Sequence, residues 1–88
     1  MRRTKIETIY DILVTIKAED GRVRPTRLLY KSNLSHNKMM EYLSELMEKG
    51  MVYEEEEKGK KYYVITEKGV EFTSEYRRMR NFLGSFGF

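Results

Sequence analysis

The hydrophobic positions of this 88-residue chain keep a helical period as far as Gly50, give way to two strand-forming runs, and return to a helical period after Thr66. Ile6, Ile9, Tyr10, Leu13 and Ile16 form the first stripe, broadened by Ile12 and Val14. Thr4 and Glu7 stand at capping-box spacing, so a helix is predicted from about Lys5 to Ala18, ended by a turn at Asp20-Gly21. Arg22-Val23-Arg24 precedes Pro25, which disfavours helical backbone in the residue before it, and a short extended segment is predicted there. Thr26 to Lys31 reads as a second, short helix with Leu28 and Leu29 turned inward and Arg27 and Lys31 on one face. A turn through Ser32-Asn33-Leu34 leads to a third helix, His36 to Lys49, opened by Ser35 as N-cap and closed by Gly50 as a left-handed stop. Met39, Leu43 and Leu46 are its core stripe, with Tyr42 and Met47 at the edges.

Met51 to Glu56 and Lys61 to Ile65 carry the Tyr, Val and Ile of two strands, joined by a turn that Gly59 permits. Thr66 caps a last helix reaching about Leu83. Phe72, Tyr76, Met79, Leu83 and Phe86 follow the 4-3-4-3 spacing of a coiled-coil seam, with Gly84 expected to break the helix before Phe86. The expected organisation is a domain over residues 1–66 and, over 67–88, a dimerisation helix with a short aromatic tail, one domain overall.

Composition narrows the function classes. A chain of this length builds one small core. It has no cysteine, hence no disulfide or thiolate metal site, and no apolar run near the roughly 18 residues of a membrane helix. A cytoplasmic protein is expected, with no membrane partner. One histidine and no glycine-rich phosphate loop leave little catalytic material, and adjacent Ser35 and His36 do not face each other on a helix, so no enzyme, cofactor or metal site is expected. Of Glu54 to Glu57, alternation along a strand lets only two carboxylates converge.

The net charge is +3, unevenly spread. Residues 1–34 carry eight Lys or Arg against four Asp or Glu, whereas residues 35–49 carry two against three. The cationic excess therefore precedes the third helix. Two helices joined by a tight turn, with the second presenting a polar face, is the arrangement that lays a helix in the DNA major groove. In that reading Ser35, His36, Asn37, Lys38, Glu41 and Ser44 face the groove, with Asn37 suited to adenine and Glu41 to cytosine. Arg24, Thr26, Arg27 and Lys31 would hold phosphates from the preceding segment, and Lys58, Lys60 and Lys61 from the hairpin; such contacts position without specifying. Arg2 and Arg3 are candidates for a basic arm. Arg77, Arg78 and Arg80 flank the seam of the last helix, and the acidic strand is expected to face away from DNA.

The segments Arg27-Leu-Leu-Tyr-Lys-Ser-Asn-Leu-Ser, Tyr42-Leu-Ser-Glu-Leu-Met-Glu-Lys-Gly and Tyr63-Val-Ile-Thr-Glu-Lys-Gly resemble a family of small archaeal winged-helix DNA-binding proteins, over nearly the whole chain. The resemblance implies an α+β, mostly α winged helix-turn-helix: a three-helix core, a two-strand wing with a short first strand, and a C-terminal helix. In that family the last helix pairs with its partner as an antiparallel coiled coil. The chain departs from the family in a shorter last helix and an unusually acidic first wing strand. From the residues alone, the orientation of such a pair stays open.

The reading is thus a homodimeric protein for double-stranded DNA, a transcriptional regulator or a chromatin-like protein, dimerising through Phe72, Tyr76, Met79, Leu83 and Phe86. The alternative is a winged-helix protein-interaction module, favoured by the net negative charge of the third helix. A small-molecule effector would have to sit among Tyr10, Phe72 and Tyr76; nothing in the sequence requires one.

Overall fold

The computed structural model describes residues 4–88; the expected arm at Arg2 and Arg3 lies outside them. Seven elements follow in order: α1 (Lys5–Ala18), β1 (Arg22–Val23), α2 (Pro25–Ser32), α3 (His36–Glu48), β2 (Val52–Glu57), β3 (Lys60–Ile65) and α4 (Glu67–Gly84). The sheet is antiparallel in the order β1-β3-β2, with Val23 opposite Tyr63 and Tyr63 opposite Glu54.

Local chemistry sets the boundaries. The capping box forms in full: the Glu7 amide donates to Thr4 Oγ1 at 3.1 Å and the Thr4 amide to Glu7 Oε1 at 3.2 Å. Pro25 takes the first position of α2, where its missing N–H has no helical partner to lose. Asn33 adopts the left-handed conformation that ends α2, and Ser35 Oγ then accepts from the Lys38 amide to start α3. Gly50 (φ +75°) closes α3 in a Schellman motif, with its amide on the Met47 carbonyl and the Met51 amide on that of Leu46. The hairpin turn has two central residues, Lys58 (φ 52°) and Gly59 (φ 77°), both positive as a type I′ turn requires. Lys60 is consequently the first residue of β3 and not part of the turn, and β2 begins at Val52, one residue later than expected.

One core holds these elements together. Ile9, Ile12, Leu13 and Ile16 of α1 meet Leu28, the Met39/Leu43/Leu46 stripe of α3, and Val23, Val52 and Tyr63 from the sheet. Burying each such side chain contributes about 1.5–3 kcal/mol. Ile12 is fully buried and belongs to the centre of the α1 stripe, whereas Ile6 is 45% exposed at its end, so the expected stripe is rotated toward Ile12. The Tyr63 ring is buried and its hydroxyl reaches Met40 Sδ at 3.7 Å; burial pushes its pKa above the ordinary tyrosine value.

The last helix docks by its first half only. Thr73 and Gly69 are buried against the domain. A Cβ at Gly69 would lie 2.5 Å from the Met51 carbonyl oxygen, so only glycine allows this approach. Tyr76 meets Tyr10 of α1 at 4.7 Å between ring centroids. Beyond it residues 77–84 of the helix are exposed, and the molecule measures 49 × 27 × 21 Å. The helix ends at Gly84, before Phe86, with Ser85 as its C-cap. A turn then carries the chain to Gly87 (φ +89°), with the Phe88 amide on the Leu83 carbonyl and the Gly87 amide on that of Gly84.

Candidate nucleic-acid interface

Since α3 buries Met39, Leu43 and Leu46, helical geometry sends Asn37, Glu41 and Ser44 to the opposite side. All three are exposed, as are Ser35, His36 and Lys38 in the first turn. Ser35 is held as the cap, which leaves its side chain committed to the Lys38 amide. Lys38 and Glu41 pair with each other at 3.4 Å.

From α2, burial of Leu28 and Ser32 leaves Thr26, Arg27 and Lys31 exposed, and Arg24 is exposed just before the helix. Leu29 is half-buried. Arg27 Nε sits 3.3 Å from Glu19 Oε1, so one candidate phosphate ligand already has a carboxylate partner. Lys31 has none among the described residues. The same helical phase puts Tyr30 outward with Thr26, at 81% exposure, a position that sequence reasoning missed. The spacing of Leu28 and Ser32, four apart, was the signal that would have found it.

The three hairpin lysines do not act as one group. Partners in an antiparallel ladder share a face, so Lys61 lies with Glu54 and Glu56 on the core side, and Lys60 with Glu55 and Glu57 on the outer side. Lys61 Nζ is 3.3 Å from Glu54 Oε1, and that hydrogen bond, with smaller contributions from Tyr63 and Glu56, raises the lysine pKa above its ordinary value. Lys58 occupies the turn; Lys58 and Lys60 have no carboxylate partner among the described residues.

The acidic strand has a partner that the sequence did not reveal. Arg22 on β1 reaches over β3, its guanidinium 4.0 Å from the centroid of the Tyr62 ring, to Glu55 at 2.7 Å and Glu57 at 3.3 Å. Glu57 first, and Glu55 after it, raise the Arg22 pKa against the opposing effect of burial. Glu55 and Glu57 are the pair that alternation brings together, and the cation between them is a guanidinium. The Arg24 guanidinium lies 5.7 Å from the centroid of the same ring. No group of three or more metal-ligating side chains occurs among the described residues.

A model of the winged helix-turn-helix family matches residues 2–83. The chain belongs to that family. Among solved structures it is similar to Sso10a-2, a DNA-binding protein from Sulfolobus solfataricus, at 27% identity and a TM-score of 0.77 over 97% of this chain and 90% of the other. F93 from STIV, described as a winged-helix DNA-binding protein, gives 21% identity and a TM-score of 0.77 over 89% and 90% of the two chains. MarR from Escherichia coli gives 15% identity and a TM-score of 0.75 over 82% of this chain and 52% of its own, so the winged-helix chain described here spans about half of that protein. No curated protein sequence matches. The winged-helix assignment fixes names for the parts: α3 is the recognition helix, and β2 and β3 are the wing.

The expected seam divides in two. Phe72 and Tyr76 are half-buried and stack at 6.1 Å between centroids, whereas Met79, Leu83 and Phe86 are exposed, joined by Phe82 and Phe88. Arg80 lies 5.8 Å from the Tyr10 and Tyr76 rings, on the α1 side; Arg78 pairs with Glu75 at 3.6 Å. No helix among the described residues is long and apolar enough to cross a membrane.

Proposed function

We propose that this protein binds double-stranded DNA as a homodimer and acts on transcription, or compacts DNA if its binding is independent of sequence. The observation that carries the reading is the outward face of α3: Asn37, Lys38, Glu41 and Ser44 stand in solvent, beside exposed Arg24, Thr26, Arg27 and Lys31, on a helix rigidly seated by its opposite side. In this reading α3 enters the major groove, α2 and the segment before it hold phosphates, and Lys58 and Lys60 at the wing tip reach an adjoining strand. Ser35 serves as the cap, with its backbone near a phosphate. The DNA-binding descriptions of Sso10a-2 and F93 support the same reading.

The protein would work as a binding protein, not a catalyst, in the cytoplasm with the DNA. Residues 1–66 would form the reading domain and residues 67–88 the dimerisation unit. A two-fold pair predicts half-sites about 34 Å apart, or a multiple of that, along one face of the duplex.

The test is fluorescence anisotropy with random-sequence duplex at 50 and 200 mM salt, on protein of determined oligomeric state. With about six phosphates neutralised per dimer, affinity falls on the order of a thousandfold between those salts. Absence of binding at 50 mM by folded protein sinks the reading and turns the family fold toward protein docking. The net negative charge of α3 and the acidic β2 make that second reading worth the control.

A further inference from the structure

The outer face of the sheet carries a group of charges that the core does not require. Arg22 and Arg24 are two apart on extended backbone with buried Val23 between them, so both side chains stand on the face away from the core. Beside them on β3 is the half-buried Tyr62. The Arg22 guanidinium lies 4.0 Å and that of Arg24 5.7 Å from the centroid of its ring, both inside the roughly 6 Å over which a ring face attracts a cation. Only one of the two arginines has a carboxylate. Arg22 reaches Glu55 at 2.7 Å and Glu57 at 3.3 Å, whereas Arg24 has no carboxylate partner among the described residues.

We infer that Tyr62 is a positioning residue of the DNA site: its ring holds Arg24 beside α2 for a phosphate, while Glu55 and Glu57 take up the charge of Arg22 so that two arginines can share one ring. This role of Tyr62 rests on the DNA-binding reading proposed above and deepens it at one contact. Two unshielded guanidinium groups on one ring repel each other. The two carboxylates on Arg22, at 2.7 and 3.3 Å, offset that repulsion. The sheet order β1-β3-β2 places the acids on one edge and Arg24 at the other, so they neutralise Arg22 without pairing with the arginine left for DNA. The acidic strand, adverse to DNA as a row of charges, thereby helps to prepare the site.

An arginine in solvent loses rotamer freedom when a phosphate fixes it. One that already rests on a ring has lost part of that freedom beforehand and binds the phosphate more tightly for it. Arg24 is prepared in backbone as well as side chain. It is the N-cap of α2 at φ −74° and ψ 147°, extended geometry that the following Pro25 favours. Arg27, three residues on, differs: Glu19 holds it at 3.3 Å, and a phosphate has to displace that carboxylate. Among Arg24, Arg27 and Lys31, only Arg24 both rests on a ring and is without a carboxylate partner among the described residues.

A double-mutant cycle on the full chain tests this, read by anisotropy with random-sequence duplex between 50 and 200 mM salt. Arg24→Ala should weaken binding on the order of tenfold at 50 mM salt and lower the salt slope by about one. Tyr62→Val removes the ring and keeps strand propensity. It should weaken binding about fivefold in the parent and less than about twofold in the Arg24→Ala background. Tyr62→Phe keeps the ring and should bind as the parent does. Circular dichroism and urea unfolding check each fold, and Tyr62→Thr takes the place of Tyr62→Val if the latter does not fold. An equal loss from Tyr62→Val in both backgrounds means that the ring acts through the shape of the wing, and overturns the assignment. So does parental binding by Arg24→Ala or Tyr62→Val, or a Tyr62→Phe as weak as Tyr62→Val; each of these leaves the DNA-binding reading standing. A folded parent that binds no duplex at 50 mM salt overturns both.

Discussion

The recognition helix α3 and the last helix α4 each seat one side on the domain and leave the other open, and the open sides are opposite in kind. That of α3 carries Asn37, Lys38, Glu41 and Ser44, all hydrogen-bonding groups that remain hydrated until a polar partner replaces the water. That of α4 carries Met79, Leu83 and Phe86, which gain only by leaving water. The difference teaches what each side accepts. A charged, hydrated polymer suits the first, where Coulomb attraction acts over about 10 Å at 0.1 M salt. A dehydrated surface of similar shape suits the second, where attraction is local and nearly indifferent to salt.

The sharpest way to break the comparison is to alter one side and read both activities. Arg27→Glu combined with Lys38→Glu reverses two charges beside α3 and leaves α4 untouched. DNA affinity at 50 mM salt should fall on the order of a hundredfold, with a shallower dependence on salt, each lost phosphate contact taking about one from the slope. Sedimentation should show the same oligomer as the parent. If affinity holds, α3 is not the DNA-facing side; if the oligomer changes, the two sides are not independent.

Separating α4 from its seat is the next largest effect. At Gly69→Ala the new Cβ meets the Met51 carbonyl and the Ile65 side chain, and backbone does not yield as a side-chain tip does. A loss of about 1–3 kcal/mol in urea unfolding is expected. Little change in stability would mean that α4 does not rest on Met51 and Ile65. Ser35→Ala comes third: it removes the acceptor for the Lys38 amide and should lower stability by about 1 kcal/mol, loosening the groove-facing turn of α3 without touching its charge.

Much of this was legible in the chain because the relevant signals are local. The Thr4–Glu7 box, the Ser35 cap and the Gly50 stop all act within five residues, and each marks its boundary to within a residue. What escaped was either a matter of phase or a matter of distance. Three lysines in four residues resemble one patch until strand alternation sends Lys60 and Lys61 to opposite faces. The Arg22 clamp spans 33 and 35 residues and exists only once β1 pairs with β3, so no local pattern announces it.

That clamp and its neighbours explain why the wing, although acidic, still belongs with the polar side of the comparison. Glu55 and Glu57 are occupied by Arg22, and Glu54 by Lys61, so much of the wing's negative charge is already countered. DNA competes with these carboxylates for the same cations. Glu54→Gln therefore frees Lys61 and leaves it charged near neutral pH, since losing the Glu54 hydrogen bond only lets its pKa fall back toward the ordinary lysine value, far above neutrality. An exposed, solvent-screened pair of this kind contributes little, which sets the effect at a gain in DNA affinity of no more than about fivefold at 50 mM salt, fading by 200 mM. Anisotropy titrations at the two salts measure it directly. A gain that persists at high salt would mean that Glu54 acts through the shape of the wing, while no gain at either salt would place Lys61 outside the interface and leave Lys58 and Lys60 as its only wing contacts.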